Sequence, residues 1–292
     1  MNFGGIEALY SSFDDCVFAV LPVPYDLTST YQAGSRKGPS AILEASANME
    51  LYDEELKTET YRSGIHTLMP LEIDARGPRE MIDRVKRATA ELLKHDKVPV
   101  VLGGEHTVTI GAVEAMKEFY PGISVLHLDA HADMRDSYQQ TRYSHACVAR
   151  RLHEICPVVQ AGIRSMSSEE AHFLELENIC SMSPEEMTSP DVIKMIMGEL
   201  TTEIYVSVDL DVFDPSVMPS TGTPEPGGVQ WKDVIRLIRE VSNHRIIRGF
   251  DIVELCPIPG FAAPDFMAAK LTYRMMGYVN NYKIINNKEI RN

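Results

Sequence analysis

The chain has 292 residues, 44% hydrophobic and 24% charged, which is enough apolar material for a full core and excludes a disordered or fibrous protein. Acidic residues outnumber basic ones by 42 to 28, for a formal charge of −14; the basic footprint of a nucleic-acid binder is excluded, while small cations would be concentrated near the surface. Five cysteines without CxxC spacing exclude a disulfide scaffold, and the apolar runs fall short of the roughly 20 residues of a membrane span, so a soluble, cytoplasmic protein with no membrane partner is expected.

In chain order, short β-branched apolar runs at 16–22, 64–69, 98–104, 123–130, 157–163, 178–182, 204–210 and 245–253 form eight strand candidates. Helical spacing fills many of the intervals, as at Ile82, Val85, Thr89 and Leu92, or at Val234, Leu237, Ile238 and Val241. Strands apolar on both faces, alternating with helices, predict a parallel sheet covered on each side, because parallel neighbours need crossover connections. No linker or repeat divides the chain. One domain over residues 1–292 is expected, with 280–292 as a polar tail expected to be mobile. Ligands of such sheets collect just past the carboxyl ends of strands.

The chemistry-bearing residues stand at those ends. The run at 123–130 leads into Asp129, His131 and Asp133, which would point the same way if the chain stayed extended. Asp209 and Asp211 repeat that spacing after the run at 204–210, and the run at 98–104 leads into Glu105 and His106. A lone Asp at a strand end is as well explained as a cap or turn former. Four clustered carboxylates are not, since burial and like charge would force their protonation unless cations intervened. Asp129, Asp133, Asp209 and Asp211 balance two divalent ions, with His106 and His131 as neutral donors. Such an oxygen-rich, sulfur-free set suits Mn²⁺ better than structural zinc.

These residues resemble the ureohydrolase family, which contains arginase and agmatinase. GGEH at 103–106, DAHAD at 129–133 and SVDLDVFDP at 207–215 are similar to its three metal-binding signatures, in order. PYDLTSTYQAGSRKGPSAI (24–42), GIRS (162–165), TGTPEPGG (221–228) and GFDIVEL (249–255) resemble further family motifs. The resemblance covers nearly the whole chain. It implies a three-layer α/β/α sandwich around an eight-stranded parallel sheet, and a homo-oligomer, trimeric or hexameric. By motif position it implies two Mn²⁺ ions bridged by Asp129 and Asp209, one completed by His106 and Asp133, the other by His131 and Asp211.

The implied reaction is attack of a metal-bridging hydroxide on a guanidinium carbon, releasing urea and an amine. Asp133 would help to protonate the departing amine, Glu254 would orient the guanidinium through charge-assisted hydrogen bonds, and His145 would shuttle protons to solvent. Plain readings compete: a strand-end carboxylate for Glu254, a cap or surface histidine for His145. Thr223, in the shaped TGTPEPGG loop, is a candidate substrate contact or an ordinary turn residue. His127 is outside the implied ligand set and is expected to support it or to fill the core.

The loop at 134–146 departs from the Asn- and Ser-bearing arginase loop and is more similar to agmatinase loops. Agmatine, yielding putrescine, is therefore the expected substrate. Aminopropylagmatine, guanidinobutyrate, arginine and formiminoglutamate are alternatives, and Arg135 and Arg142 could pair with a substrate carboxylate or with surface acids. A non-catalytic homologue is disfavoured by the complete ligand set. A two-metal phosphatase is disfavoured by the acidic charge and the lack of a phosphate-cradling glycine motif.

Overall fold

The computed structural model describes residues 1–189 and 191–289, with the side chains of 281–289 left aside. All eight strand candidates form strands: β1 (Phe18–Val23), β2 (Ile65–Thr67), β3 (Val98–Gly103), β4 (Ser124–Leu128), β5 (Val158–Ala161), β6 (Ser181–Met182), β7 (Glu203–Asp209) and β8 (Ile246–Val253). They make one sheet in the order β2-β1-β3-β8-β7-β4-β5-β6, every pairing parallel. The helices are α1 (Gly38–Ser46), α2 (Pro78–Lys94), α3 (Val108–Phe119), α4 (Val148–His153), α5 (Ser168–Leu176), α6 (Pro184–Met187), α7 (Val192–Glu199), α8 (Trp231–His244) and α9 (Ala263–Glu289).

Alternation along the strands sends successive side chains to opposite faces. Val20, Val100, Leu126 and Val206 pack on one side with apolar residues of α1, α7, α8 and α9, while Leu21, Val101, Val125 and Tyr205 pack on the other with those of α2, α3 and α4. These two cores make the three layers. The helical spacing read from the sequence is the reason: Ile82, Val85, Thr89 and Leu92 of α2 and Val234, Leu237, Ile238 and Val241 of α8 are all buried. Residues 280–289 of the expected tail continue α9, and 290–292 lie outside the described residues. Among the described residues no helix is long and apolar enough to cross a membrane.

The strand order reverses direction at the centre of the sheet, where β3, β8, β7 and β4 are neighbours. Loops leaving their carboxyl ends must diverge there, and the crevice between them is where open α/β sheets collect ligands. Gly104, just past β3, lets two such loops approach: a Cβ on it would sit 2.0 Å from the carbonyl oxygen of Tyr25. Its own carbonyl accepts from Glu254 N–H at 2.7 Å. Gly104→Ala is expected to destabilise the chain by about 1–3 kcal/mol, the usual cost of overpacking, measured as a lower urea midpoint at unchanged slope.

Candidate metal centre and active site

The four central strands each deliver one part of the site. Glu105 and His106 follow β3, Asp129, His131 and Asp133 follow β4, Asp209 ends β7 with Asp211 in the 3-10 turn beyond it, and Glu254 follows β8. The chain does not stay extended past β4, contrary to the reading from alternate spacing: the strand ends at Leu128, and Asp133 sits at φ 52°. Convergence comes from turns. Glu254 is likewise left-handed, at φ 64°. For residues other than glycine such conformations cost about 1–2 kcal/mol and concentrate at functional sites.

His106 Nδ1 lies 3.1 Å from Asp129 Oδ2, 3.2 Å from Asp209 Oδ2 and 3.7 Å from Asp133 Oδ2. His131 Nδ1 lies 3.0 Å from Asp211 Oδ2 and 3.6 Å from Asp129 Oδ1. The potential donors form two overlapping groups, His106, His127, Asp129 and Asp133 in one and Asp129, His131 and Asp211 in the other, with the donor atoms of each within 4.8 Å of one another. Asp129 is common to both. All of them but His131 are buried. The backbone helps to hold the carboxylates, with His131 N–H donating to Asp129 at 2.6 Å, Ala130 N–H to Asp211 at 3.0 Å and Asp211 N–H to Asp209 at 2.8 Å.

The electrostatics call for positive charge. Burial and adjoining carboxylates push Asp133, Asp209 and Asp211 above the usual carboxylate range. Burial opposes charge on Asp129 too, yet the adjoining imidazoles of His106 and His131 hold it well below that range. The carboxylates in turn raise both histidines against the pull of burial. His106 Nδ1 and Asp129 Oδ2 are buried with no hydrogen-bond partner, a costly state for polar atoms. An oxygen-rich set with imidazole nitrogens, no sulfur and orphaned atoms of this kind, His127 Nε2 among them, fits a pair of divalent cations.

Glu254 Oε1 accepts from His106 N–H at 2.8 Å and lies 3.7 Å from His145 Nδ1. On its far side His145 Nε2 is 3.0 Å from Thr30 Oγ1. Burial lowers the basicity of His145, but Glu254 outweighs it and lifts the pKa to about 9. Thr30, His145 and Thr223 line a cleft of about 160 Å³ that opens onto Asp133, Asp209 and Asp211. Thr223 donates to Asp211 at 3.4 Å. Larger depressions, such as one of about 580 Å³ beside Trp231, Arg236 and Arg274, hold none of the grouped donors found among the described residues.

Several contributors had no role assigned from sequence. Glu105, fully buried, accepts from Thr28 N–H at 2.6 Å and Thr28 Oγ1 at 2.7 Å, and Thr28 Oγ1 accepts from His145 N–H at 3.0 Å. Glu105 therefore fixes the loop that carries Thr30. Arg164, of the GIRS motif, donates to the carbonyls of Asp211 and Glu225 at 2.8 Å and of Gly162 and Pro226 at 3.1 Å, tying three loops together. Arg142 is held by Asp136 at 3.1 Å and Glu154 at 3.0 Å, whereas Arg135 lines the cleft over the ring of Tyr138.

In the metal-free chain the raised pKa of His145 has a stability signature. A group whose folded pKa is raised contributes fully below its unfolded value, about 6.5, and loses that contribution as pH rises through about 9. The difference in unfolding free energy between wild type and His145→Gln should shrink from pH 6 to pH 10, measured by urea titration with chelator present; a constant difference would contradict the assignment.

Residues 17–277 match the Arginase family. The chain is 37% identical over 277 residues to a Synechocystis protein named N(1)-aminopropylagmatine ureohydrolase, covering 92% of this chain and 90% of that one. It is 32% identical over 282 residues to the Pyrococcus horikoshii agmatinase, covering 92% and 97%. The crystal structure of agmatine ureohydrolase from Thermoplasma volcanium superposes with a TM-score of 0.87 at 31% identity, covering 97% of this chain and 96% of that one. The family match over most of the chain, these identities and the shared fold show that the chain belongs to the arginase family.

Proposed function

We propose that the protein is a binuclear-manganese ureohydrolase acting on a cationic guanidinium compound, N(1)-aminopropylagmatine first and agmatine second. The metal reading is carried by one observation: Asp129 turns one oxygen towards His106 and the other towards His131. His106, Asp129, Asp133 and Asp209 would hold one ion, and Asp129, His131, Asp209 and Asp211 the other. When bound, the ions supply an acidified water as nucleophile at neutral pH.

The chain's own side chains do the rest. Glu254 has one oxygen engaged by His106 N–H, which leaves the other for the guanidinium and gives a role to a strained, buried carboxylate beside His145. Asp133, raised by burial and by Asp129, is suited to hold a proton and pass it to the departing amine. His145 spans the gap between Glu254 and Thr30 and can carry a proton between the buried carboxylates and the cleft mouth.

The order of substrates draws on the relatives. The Synechocystis protein is more similar, at 37%, than the Pyrococcus agmatinase, at 32%, so the aminopropyl-extended compound moves ahead of agmatine. Agmatine stays second because the Thermoplasma structure matches so closely. Both carry a distal cation, in keeping with the formal charge of −14, and Arg142 is occupied by Asp136 and Glu154 and so is not offered to a substrate carboxylate. A cytoplasmic homo-oligomer acting in polyamine synthesis completes the proposal.

With Mn²⁺ added, urea should be released from N(1)-aminopropylagmatine and agmatine and far more slowly from arginine and guanidinobutyrate, and chelation should abolish it. A preference for either carboxylate-bearing substrate would overturn the assignment of the distal end. Glu254→Gln should lower kcat/KM by about 10–100-fold, the worth of a charge-assisted hydrogen bond.

A further inference from the structure

Two residues beneath the carboxylates, the parallel registers align a second row of polar side chains across the middle of the sheet. Gln160 of β5 is paired with His127 of β4, His127 with Ser207 of β7, and Ser207 with Asp251 of β8. All four are fully buried. Pleating puts His127 on the face of Asp129 and Ser207 on the face of Asp209, so the row is the floor of the donor cluster. Polar groups in mid-sheet cost free energy unless satisfied, and apolar residues would fill the same places without that cost.

The hydrogen bonds of this floor have a direction. Asp251 accepts from Thr109 Oγ1 at 2.8 Å and from Ser207 Oγ at 2.7 Å. A serine hydroxyl has a single proton. With that proton committed to Asp251, Ser207 can only accept at its 2.8 Å contact with His106 Nε2. His106 is thereby protonated on Nε2, so that in the neutral ring the lone pair falls on Nδ1, the atom 3.1 Å from Asp129 and 3.2 Å from Asp209.

The other end works the same way. Gln160 Nε2 donates to the carbonyl of Ala132 at 2.8 Å, which identifies it as the amide nitrogen, and its second proton faces His127 Nδ1 at 3.3 Å. His127 then carries its own proton on Nε2, 3.4 Å from Asp129 Oδ2. The rings of His106 and His127 stack with centroids 4.8 Å apart, so each limits the other's rotation.

We propose that the row Gln160, His127, Ser207 and Asp251 is a proton-orienting floor: Ser207 and Asp251 hold His106 in the tautomer that offers Nδ1 to a cation, and Gln160 keeps the His127 lone pair on Nδ1, so that the Nε2 facing Asp129 carries a proton and is not offered to a metal. This rests on reading the cluster above it as a divalent-metal site. These are positioning residues, acting through His106 and Asp129.

The test titrates Mn²⁺ alone into the full-length wild type, Asp251→Asn, Ser207→Ala and Ser207→Thr by calorimetry, and melts each protein metal-free. Asp251→Asn keeps the shape but removes a buried charge and can hand a donor to Ser207, reversing the chain of bonds. Asp251→Asn and Ser207→Ala should bind Mn²⁺ about 10–100-fold more weakly, the usual effect of losing a partner behind a ligand, with metal-free Tm no lower than wild type. Ser207→Thr, which retains the hydroxyl, should recover most of the affinity. Wild-type affinity in both weakened variants, or a loss that only follows a lower metal-free Tm, overturns the floor and leaves the metal site standing. A wild type that binds no Mn²⁺ overturns both. Should the variants fail to fold, long-range ¹⁵N–¹H spectra of the Zn²⁺-loaded wild type decide, since a proton on His106 Nδ1 refutes the assignment.

Discussion

Repulsion among buried carboxylates is the interaction that the rest of the structure answers. At an effective dielectric near 20, two unit charges about 4 Å apart repel by about 4 kcal/mol, and Asp129 has Asp133, Asp209 and Asp211 around it in a buried setting. No packing rearrangement relieves that. Imidazoles and backbone N–H groups offset part of it, and the orphaned atoms of His106 and Asp129 mark where the compensation is incomplete. A concentration of negative charge that would destabilise an ordinary core becomes an asset once divalent cations are the ligand.

Holding such a cluster requires a frame that cannot relax outward. The four strands that deliver it are the central ones, each hydrogen-bonded on both sides and buried on both faces. The left-handed residues Asp133 and Glu254 persist because their neighbours over-determine them: Arg150 N–H donates to the Asp133 carbonyl at 3.0 Å, and Glu254 N–H is bound by Gly104. Arg164 performs the corresponding task for the loops around Asp211, where a guanidinium suits several carbonyls arriving from different directions.

The same frame links metal donors to the groups that face the cleft. Glu254 is bonded to the backbone of His106, and Glu105, the residue before His106, anchors Thr28 and with it the backbone of His145. One short segment after β3 therefore sets the position of a donor, of the Glu254 carboxylate and of the histidine beside it. The GGEH motif is dense in function because a tight turn brings its backbone and its side chains to different partners at once.

The architecture and most of the site were legible in the linear order of residues. Apolar runs separated by helical spacing suffice to indicate a parallel sheet, since strands buried on both faces need apolar residues at every position, and acidic residues with histidines just beyond those runs suffice to locate the donors. What the sequence could not contain was lateral register. That Ser207 sits beside Asp251, that His127 stacks on His106, and that Glu105 reaches the loop of Thr28 are consequences of which strands become neighbours, and short-range periodicity carries no information on pairing partners far apart in the chain. The bent paths of Asp133 and Glu254 escaped for a related reason. Alternate spacing implies an extended chain only while a ladder of hydrogen bonds maintains it, and beyond the last strand residue the tertiary contacts, not the local pattern, decided where each carboxylate points.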